Sequence, residues 1–340
     1  MTGRQRILAM YEGSPVDRLP LMPITMMFAG DLLRVNYRKY VSDFRILAEA
    51  QLKVASDFHF DYVSVISDPA REAADLGATL EWFENQPPAI VENQALLRDK
   101  STLARLKLPD PQARGRMLDR VQGVALLREQ TGLELLVEGW VEGPCALAAD
   151  LRGLNTLMLD FIDDADFVKD LFELSLQVAL RFARAQVEAG ADLIGVGDAA
   201  ASLIGPRLYF DYVLPYEKRL IEELHAMGTR VRLHICGNTR KLFRGMAAVA
   251  AEQVDLDWMA PLGEARQEMG PSQTLAGNID PVRVLRDGTP DTILSALEEC
   301  FRQASSRYIV SAGCEVPRDT PEPNLRAMTC FAATHAPACI

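Results

Sequence analysis

The sequence lacks the features that mark secreted, membrane-spanning and nucleic-acid-binding proteins. The amino-terminal segment has Arg4 and Arg6 where a signal peptide needs an apolar core, and no run approaches the roughly 20 apolar residues of a membrane helix. Acidic residues number 47 against 36 basic ones, a net charge of −11, so the chain has no general excess of cations for nucleic acid or anionic lipid. The six cysteines are too scattered for a disulfide scaffold, which favours reduced thiols; they stand at positions 145, 236, 300, 314, 330 and 339. We therefore expect a cytoplasmic protein that binds neither nucleic acid nor a membrane.

What is present is an alternation of two patterns along 340 residues that are 49% hydrophobic. Short runs rich in β-branched residues predict buried parallel strands, and longer segments between them have apolar residues at steps of three and four. The clearest helices are predicted over 164–190 and 215–228. Eight strands are predicted, over 19–26, 62–67, 134–140, 192–198, 231–237, 254–259, 273–280 and 308–314.

Eight strands that alternate with helices favour a closed α/β barrel, the (β/α)₈ TIM barrel, over an open doubly wound sheet. Residues 70–133 are too long for one crossover and contain Pro-Pro and Pro-Asp-Pro turns, which indicates an insertion after the second strand. We predict one catalytic domain over 1–335, with a tail at 336–340.

In a parallel barrel, reactive side chains gather at the carboxyl ends of the strands. The polar residues predicted at these ends are Asp68, Glu142, Asp198, His234, Cys236, Asp257, Asn278, Asp280, Cys314 and Glu315. We therefore expect a pocket at this end of the barrel.

The segment "RLHICGN" carries the strongest indication of chemistry. Residues i and i+2 of a strand share a face, so His234 and Cys236 can both point into the barrel. Cys314, in "IVSAGCEVP", also stands at a strand end. Three protein ligands with one open position are typical of a catalytic zinc site. The alternative is that His234 makes an internal hydrogen bond and both cysteines are small buried apolar residues.

The charge of this ligand set suggests a type of reaction. Two thiolates and a neutral imidazole cancel the charge of Zn²⁺, which suits activation of a substrate thiol better than activation of water. His/Cys/Cys zinc activates water in nucleobase deaminases, but their Cys-x-x-C pair and neighbouring glutamate are absent from this sequence. The ligand set therefore favours thiol alkylation over hydrolysis.

These residues belong to motifs that resemble a known family. The motifs are "VEGPCALAADLRG", "GADLIGVGDAAASLIGPRLYFDYVLPYEKRL", "LHICGNT", "LAGNIDPVRVL" and "SAGCEVPRDTPEPNLRAM". The sequence resembles the uroporphyrinogen decarboxylase superfamily from about residue 3 to residue 328, and within it the zinc-dependent corrinoid methyltransferases, such as the methylcobamide:coenzyme M methyltransferases. The resemblance implies a (β/α)₈ barrel with zinc on His234, Cys236 and Cys314. It also implies methyl transfer between a corrinoid cobalt and a small thiol or methylated donor, with the corrinoid free or on a partner protein.

A decarboxylase that uses no metal is the alternative within this superfamily. Its porphyrinogen substrate carries eight carboxylates and needs an arginine-rich segment after the first strand. That place is occupied by "LMPITMMFAGDLLR", whose methionines and phenylalanine cannot stabilise so many anions.

The remaining candidates each have two interpretations. Asp198 is a candidate catalytic residue or a helix cap, and Asp68 binds substrate or begins a turn before a proline. Glu142 and Asp257 bind substrate or supply a displaceable fourth zinc ligand. Asn278 lines the pocket or caps the next helix.

Overall fold

Parallel strands of aliphatic and β-branched residues form the centre of the structure, a computed structural model that describes residues 1–336. Residues 337–340, which include Cys339 and most of the predicted tail, lie outside the described residues. The strands within 1–336 are β1 (Tyr62–Ser64), β2 (Leu80–Glu81), β3 (Ala89–Ile90), β4 (Leu136–Glu142), β5 (Leu193–Gly197), β6 (Arg230–Ile235), β7 (Gln253–Leu256), β8 (Thr274–Ala276) and β9 (Tyr308–Ile309).

The α-helices lie between and around these strands. Over residues 1–336 they are α1 (Gly3–Glu12), α2 (Met27–Leu32), α3 (Tyr37–Ser42), α4 (Phe44–Phe58), α5 (Arg71–Leu76), α6 (Arg116–Thr131), α7 (Pro144–Arg152), α8 (Leu154–Asp163), α9 (Ala165–Glu188), α10 (Gly205–Leu208), α11 (Leu214–Ala226), α12 (Phe243–Ala248), α13 (Leu262–Met269), α14 (Pro290–Ala304) and α15 (Glu322–Thr334). Short 3₁₀ segments cover Glu92–Gln94, Lys100–Arg105 and Ala199–Ser202, and π-helical segments cover Tyr209–Val213 and Pro281–Arg286. The predicted helix 164–190 is confirmed as α9, and the side chain of Asp164 caps it by accepting from the Phe167 N–H.

Seven of the strands form one parallel sheet in the order β1-β4-β5-β6-β7-β8-β9. The sheet curls as it would in a TIM barrel, and its two edges are joined by hydrogen bonds through the segment 20–22. On the β9 side, Val310 N donates to Pro20 O at 2.9 Å and Met22 N donates to Val310 O at 3.0 Å. On the β1 side, Asp61 N donates to Leu21 O at 3.1 Å.

The strand predicted over 19–26 is reduced to a single bridge, between Leu21 and Val310. The physical reason is that Pro20 and Pro23 flank this bridge, and proline has no N–H to continue a ladder. The other seven predicted strands are present, most of them shorter than predicted. Residues 70–133 contain α5, the antiparallel pair β2–β3, two 3₁₀ segments and α6, which packs against β4 and α9.

Glycines on β5 make room for a tryptophan on the inner face of the curled sheet. The indole of Trp140, on β4, lies over Gly195 and Gly197, where a Cβ would come within 3.0 Å of the ring at either position. The indole also lies beside His234, with ring centroids 6.3 Å apart. Gly195 and Gly197 therefore determine the position of the Trp140 ring.

We expect Gly195→Ala to lower the free energy of unfolding, because its Cβ would overlap several atoms of the Trp140 ring. Overpacking of this kind costs about 1–3 kcal/mol. The matched control is Gly263→Ala in α13, where the nearest atom, Gln303 Oε1, is 3.5 Å from the new Cβ. Alanine is the better helix former by about 0.8–1.0 kcal/mol, so this control should be neutral or stabilising. Urea unfolding measures both, and equal effects of the two substitutions would contradict the packing argument.

Candidate metal centre

His234, Cys236 and Cys314 meet at the carboxyl end of the parallel sheet. His234 lies in β6, Cys236 directly follows that strand, and Cys314 follows the bridge at Ala312 beyond β9. His234 Nε2 is 3.1 Å from Cys236 Sγ and 4.0 Å from Cys314 Sγ, and the two sulfurs are 4.0 Å apart. Within residues 1–336, this is the only group of three or more His, Cys, Asp or Glu side chains spaced to hold a metal ion.

These spacings match the geometry of a tetrahedral zinc ion. Zn–S bonds of about 2.3 Å and a Zn–N bond of about 2.0–2.1 Å put two sulfurs about 3.8 Å apart and a sulfur about 3.6 Å from a nitrogen. The three measured distances lie on either side of these values. The imidazole is buried, whereas both cysteines are partly exposed, so a fourth position can face the solvent side.

The electrostatics of the site favour a positive charge beside the sulfur of Cys314. Burial lowers the pKa of His234, but Cys236, Asp255 and Cys314 outweigh it and raise that pKa well above its usual range. The hydrogen bond from Cys236, helped by His234 and opposed by burial, holds the pKa of Cys314 well below its usual range. The hydrogen bond with Cys314, together with burial, raises the pKa of Cys236. The charged pair is therefore the His234 imidazolium and the Cys314 thiolate, and a cation bound beside this thiolate would replace the proton of the imidazolium.

A buried network behind His234 fixes the orientation of its ring. Asp255 Oδ2 is 3.1 Å from His234 Nδ1 and accepts a hydrogen bond from Arg232 Nε at 2.8 Å. Arg232 Nη1 donates to Glu138 Oε1 at 3.1 Å, and Gln253 Nε2 donates to Asp255 Oδ1 at 2.8 Å. A carboxylate on Nδ1 places the proton there and leaves Nε2 free as a ligand. Asp255 was not among the site residues predicted from the sequence, although it lies in β7, two residues before Asp257, which follows that strand.

Asp257 and Asn278 hold the loops next to the ligands. Asp257 accepts from the N–H of Gly237, which follows Cys236, and from the N–H of Met259, both at 2.9 Å. Asn278 Nδ2 donates to the carbonyl oxygens of Asp257 at 3.0 Å and Ala260 at 2.6 Å. The structure thus brings both candidates close to the metal ligands and engages their polar atoms with the backbone.

Asp68 follows β1 at the carboxyl end of the sheet, the end that we call the mouth. It is paired with Arg116, from the 70–133 segment. Arg116 donates two hydrogen bonds to its carboxylate, at 2.7 and 2.6 Å, and Ser67 Oγ donates a third at 2.8 Å. Burial raises the pKa of Asp68, but Arg116 more than offsets this and lowers it below its usual value. Asp68 is therefore a charged acid with its own cation.

Glu142 ends β4 and is almost fully buried. Its Oε1 accepts from Arg71 Nη2 at 3.0 Å, and Arg71 also donates to the backbone carbonyl of Asp68. Burial, together with the nearby Glu72, raises the pKa of Glu142 well above its usual value in spite of Arg71. The side chain lines a cleft at the barrel mouth.

Asp198 is fully buried at the start of α7. Its carboxylate accepts from the N–H groups of Ala146 at 2.6 Å and Cys145 at 3.4 Å, and Glu217 lies beside it. Burial raises the pKa of Asp198 to about 7. The carboxylate of Asp198, in the loop after β5, thus caps the first turn of α7 and also interacts with the carboxyl group of Glu217.

Comparisons with known proteins extend over nearly the whole chain. Residues 2–335 match the family model described as uroporphyrinogen decarboxylase (URO-D). The methylcobamide:CoM methyltransferase MtbA of Methanosarcina mazei is 28% identical over 335 residues, which cover 96% of each protein. A uroporphyrinogen decarboxylase of Synechococcus is 28% identical over 339 residues, which cover 94% of each.

Solved structures share the fold. A methyltransferase from Methanosarcina mazei superposes with a TM-score of 0.89 at 21% identity, over 98% of both chains. A B12-independent methionine synthase from Shewanella superposes with a TM-score of 0.61 at 13% identity, over 93% of this chain and 94% of that one. The matches confirm the resemblance that the sequence motifs indicated.

Proposed function

The chain belongs to the uroporphyrinogen decarboxylase family, and we propose that it is a zinc-dependent methyltransferase that moves a methyl group between a corrinoid cobalt and a small thiol or methylated donor. The observation that carries this proposal is the meeting of His234 Nε2 with the sulfurs of Cys236 and Cys314 at 3.1 to 4.0 Å. Similarity to the methylcobamide:CoM methyltransferases supports the same assignment.

His234, Cys236 and Cys314 are the residues that would hold the zinc. When bound, zinc supplies Lewis acidity that lowers the pKa of a small thiol or polarises the leaving heteroatom of a methylated donor. Asp255 orients the His234 ring, and Asp257 fixes the backbone after Cys236 through the Gly237 N–H. These contacts hold the donors in place before any reactant arrives.

Apolar side chains cover the floor of the mouth beside this centre. Trp140 packs with Ile24 and Ile66, and the partly buried Met26 contacts the same cluster. Such a surface excludes water from the reacting atoms and offers a flat contact to a corrinoid ring. A corrinoid protein, or a free corrinoid, would have to cover this opening. We propose that the chain and its corrinoid partner act in the cytoplasm.

The decarboxylase alternative is disfavoured by the charge of the mouth. Asp68, Glu142 and Asp150 all lie there, and Arg71 and Arg116 are already paired with two of them. A substrate with many carboxylates would meet these acids, and the two arginines beside them are already engaged.

We extend the proposal to the fold and to the remaining site residues. The segment 20–22 serves as the first strand of a complete (β/α)₈ barrel, and residues 1–335 act as one catalytic domain with an insertion within 70–133. Glu142 contacts substrate through the cleft that it lines, and Asp68 contacts substrate beside it. Asp257 and Asn278 bind substrate on the other side of the opening, next to the metal ligands. Asp198 acts on catalysis by positioning α7, which forms a wall of that cleft.

We expect the purified protein to contain one zinc ion per chain and to convert methylcobalamin to cob(I)alamin when supplied with a small thiol. In the reverse sense, it should methylate cob(I)alamin from a methylated donor. Metal analysis and the absorbance of the corrinoid measure these outcomes. Stoichiometric zinc without any corrinoid change across thiols and donors would contradict methyl transfer, and metal-free protein that releases CO₂ from a porphyrinogen would establish the decarboxylase instead.

A further inference from the structure

A second feature of the barrel mouth is a cleft of about 500 Å³ on the side of β1, β4 and β5. It lies between the β2–β3 pair, α7 and the 3₁₀ segment Ala199–Ser202. Its walls are mostly small or aliphatic and include Pro88, Ile90, Ala146, Ala149, Leu154 and Leu203. The space therefore suits a compact organic group rather than a hydrated ion.

Two carboxyl groups in this cleft have unused hydrogen-bonding capacity. The carboxyl group of Asp150 makes no hydrogen bond to residues 1–336, and its Oδ2 is shielded from solvent. Glu142 is only 5% exposed, and while its Oε1 accepts from Arg71, no donor in the described part of the chain reaches its Oε2. An unpartnered acid of this kind costs free energy, so a ligand that pairs with it would stabilise the site.

The acids around the cleft outnumber the cations. Arg116 is engaged by both oxygens of Asp68, which leaves Arg71 to serve Glu72 and Glu142. Burial, with Glu72 and Asp68 adding to it and Arg71 opposing it, raises the pKa of Asp150 to about 8. Three acids, Glu72, Glu142 and Asp150, therefore share the cation Arg71, and a positively charged group in the cleft would reduce this excess of acids.

We propose that this cleft binds a small organic ammonium compound, with the cationic nitrogen between Asp150 and Glu142 and its methyl or methylene groups against the apolar walls. The inference rests on the proposed function, because it names the chemical class of the small reactant that would share the mouth with the corrinoid. It also predicts discrimination against anionic thiols such as 2-mercaptoethanesulfonate, whose sulfonate would face unpaired acids.

An ammonium compound fits these observations better than a metal ion does. Within residues 1–336, the oxygens of Asp150 and Glu142 do not form part of any group spaced to hold a metal. The alanine and proline walls bring no further ligands, whereas they suit the alkyl groups of a methylated nitrogen.

The test compares three probes of matched size on the zinc-loaded protein by isothermal titration calorimetry, with no corrinoid present. The probes are choline, its uncharged carbon analogue 3,3-dimethylbutan-1-ol, and 2-hydroxyethanesulfonate, an anion of the same size that has no thiol to bind the zinc. We expect choline to bind at least about tenfold more tightly than either, since loss of one ion pair near a buried site costs at least about 1.4 kcal/mol. Equal or tighter binding of the uncharged analogue or the sulfonate, or no detectable binding of choline, would overturn the inference.

Asp150→Asn identifies the residue responsible. Asparagine copies the shape of the protonated acid, so the fold should persist, while the affinity for choline should fall at least about tenfold. The control is Asp170→Asn, an exposed position on α9, which should leave the affinity unchanged. An Asp150→Asn variant that binds choline as tightly as the parent would contradict the assignment.

Thermal unfolding gives a second readout. The pKa of Asp150 is raised on folding, so the folded state keeps a proton that the unfolded state loses as pH rises from about 4 to about 8. Stability from this group therefore declines over that interval, and Asp150→Asn should melt at a higher temperature than the parent at pH 8 but not at pH 4. Zinc content and corrinoid turnover are measured separately, so failure of choline binding and failure of methyl transfer can be told apart.

Discussion

Cys314→Ala is expected to lose nearly all bound zinc and all measurable methyl transfer to or from a corrinoid. Cys314 is 80 residues from His234 in the chain, but its Sγ is only 4.0 Å from His234 Nε2. It is therefore the third ligand of the proposed site. If three ligands share a zinc-binding free energy of about 12 kcal/mol, each accounts for about 4 kcal/mol, or roughly 10³ in affinity. Metal analysis after dialysis and the corrinoid absorbance assay measure the two losses.

Cys330→Ala is the matched control for this experiment. Cys330 is exposed on α15 and is not among the three grouped ligands, so its removal should change neither zinc content nor turnover. Cys236→Ala should behave as Cys314→Ala does, and the double variant should add little, because residues that act as one unit are not additive. A Cys314→Ala protein that keeps one zinc per chain and full activity would exclude the three-ligand site.

The metal group could be predicted because it depends on backbone periodicity. His234 lies in β6, Cys236 directly follows that strand, and Cys314 follows the bridge beyond β9, so the parallel arrangement directs all three to one end of the sheet. The curl of the sheet then brings His234 Nε2 and the two sulfurs to within 4.0 Å of one another. Alternation and strand order are local properties that the sequence shows directly.

The partners of the acidic residues could not be predicted in the same way. Asp68 is held by Arg116, which is 48 residues later in a segment whose structure has no simple repeat. Asp198 looked equally suited to catalysis or to capping, and only the position of α7 places two N–H groups on its carboxylate. Side-chain pairing across elements depends on tertiary packing, which neither spacing nor residue type reveals.

Asp255 shows where the same periodic reasoning could have gone further. It is opposite His234 in the register of β6 and β7, so an inward-facing acid at that position must lie beside the ligand. It was missed because it stands in the middle of a strand, where apolar residues are expected, and not at the strand end. Metal-ligating histidines commonly have a carboxylate on their second nitrogen, so a buried acid on the neighbouring strand is a usable signal.

Asp255→Asn should therefore weaken zinc binding while all three ligands remain. Asparagine cannot provide the carboxylate that accepts from His234 Nδ1, so the ring is less firmly fixed and less basic at Nε2. Loss of such a partner typically costs about 10–100-fold in metal affinity. Competition with a chromogenic chelator measures the zinc affinity, and urea unfolding measures stability in parallel.

Asp255→Asn also disturbs the buried charges of Arg232 and Glu138, so stability and zinc affinity have to be separated. Arg232→Met does this, because it breaks the same ion pairs without touching His234. Both variants leave buried charges without full partners, and we expect each to be destabilised by up to about 3–5 kcal/mol. Only Asp255→Asn should lose zinc affinity at a temperature where both variants remain folded. Equal losses of zinc affinity in the two variants would mean that the network acts through the stability of the barrel and not through the orientation of His234.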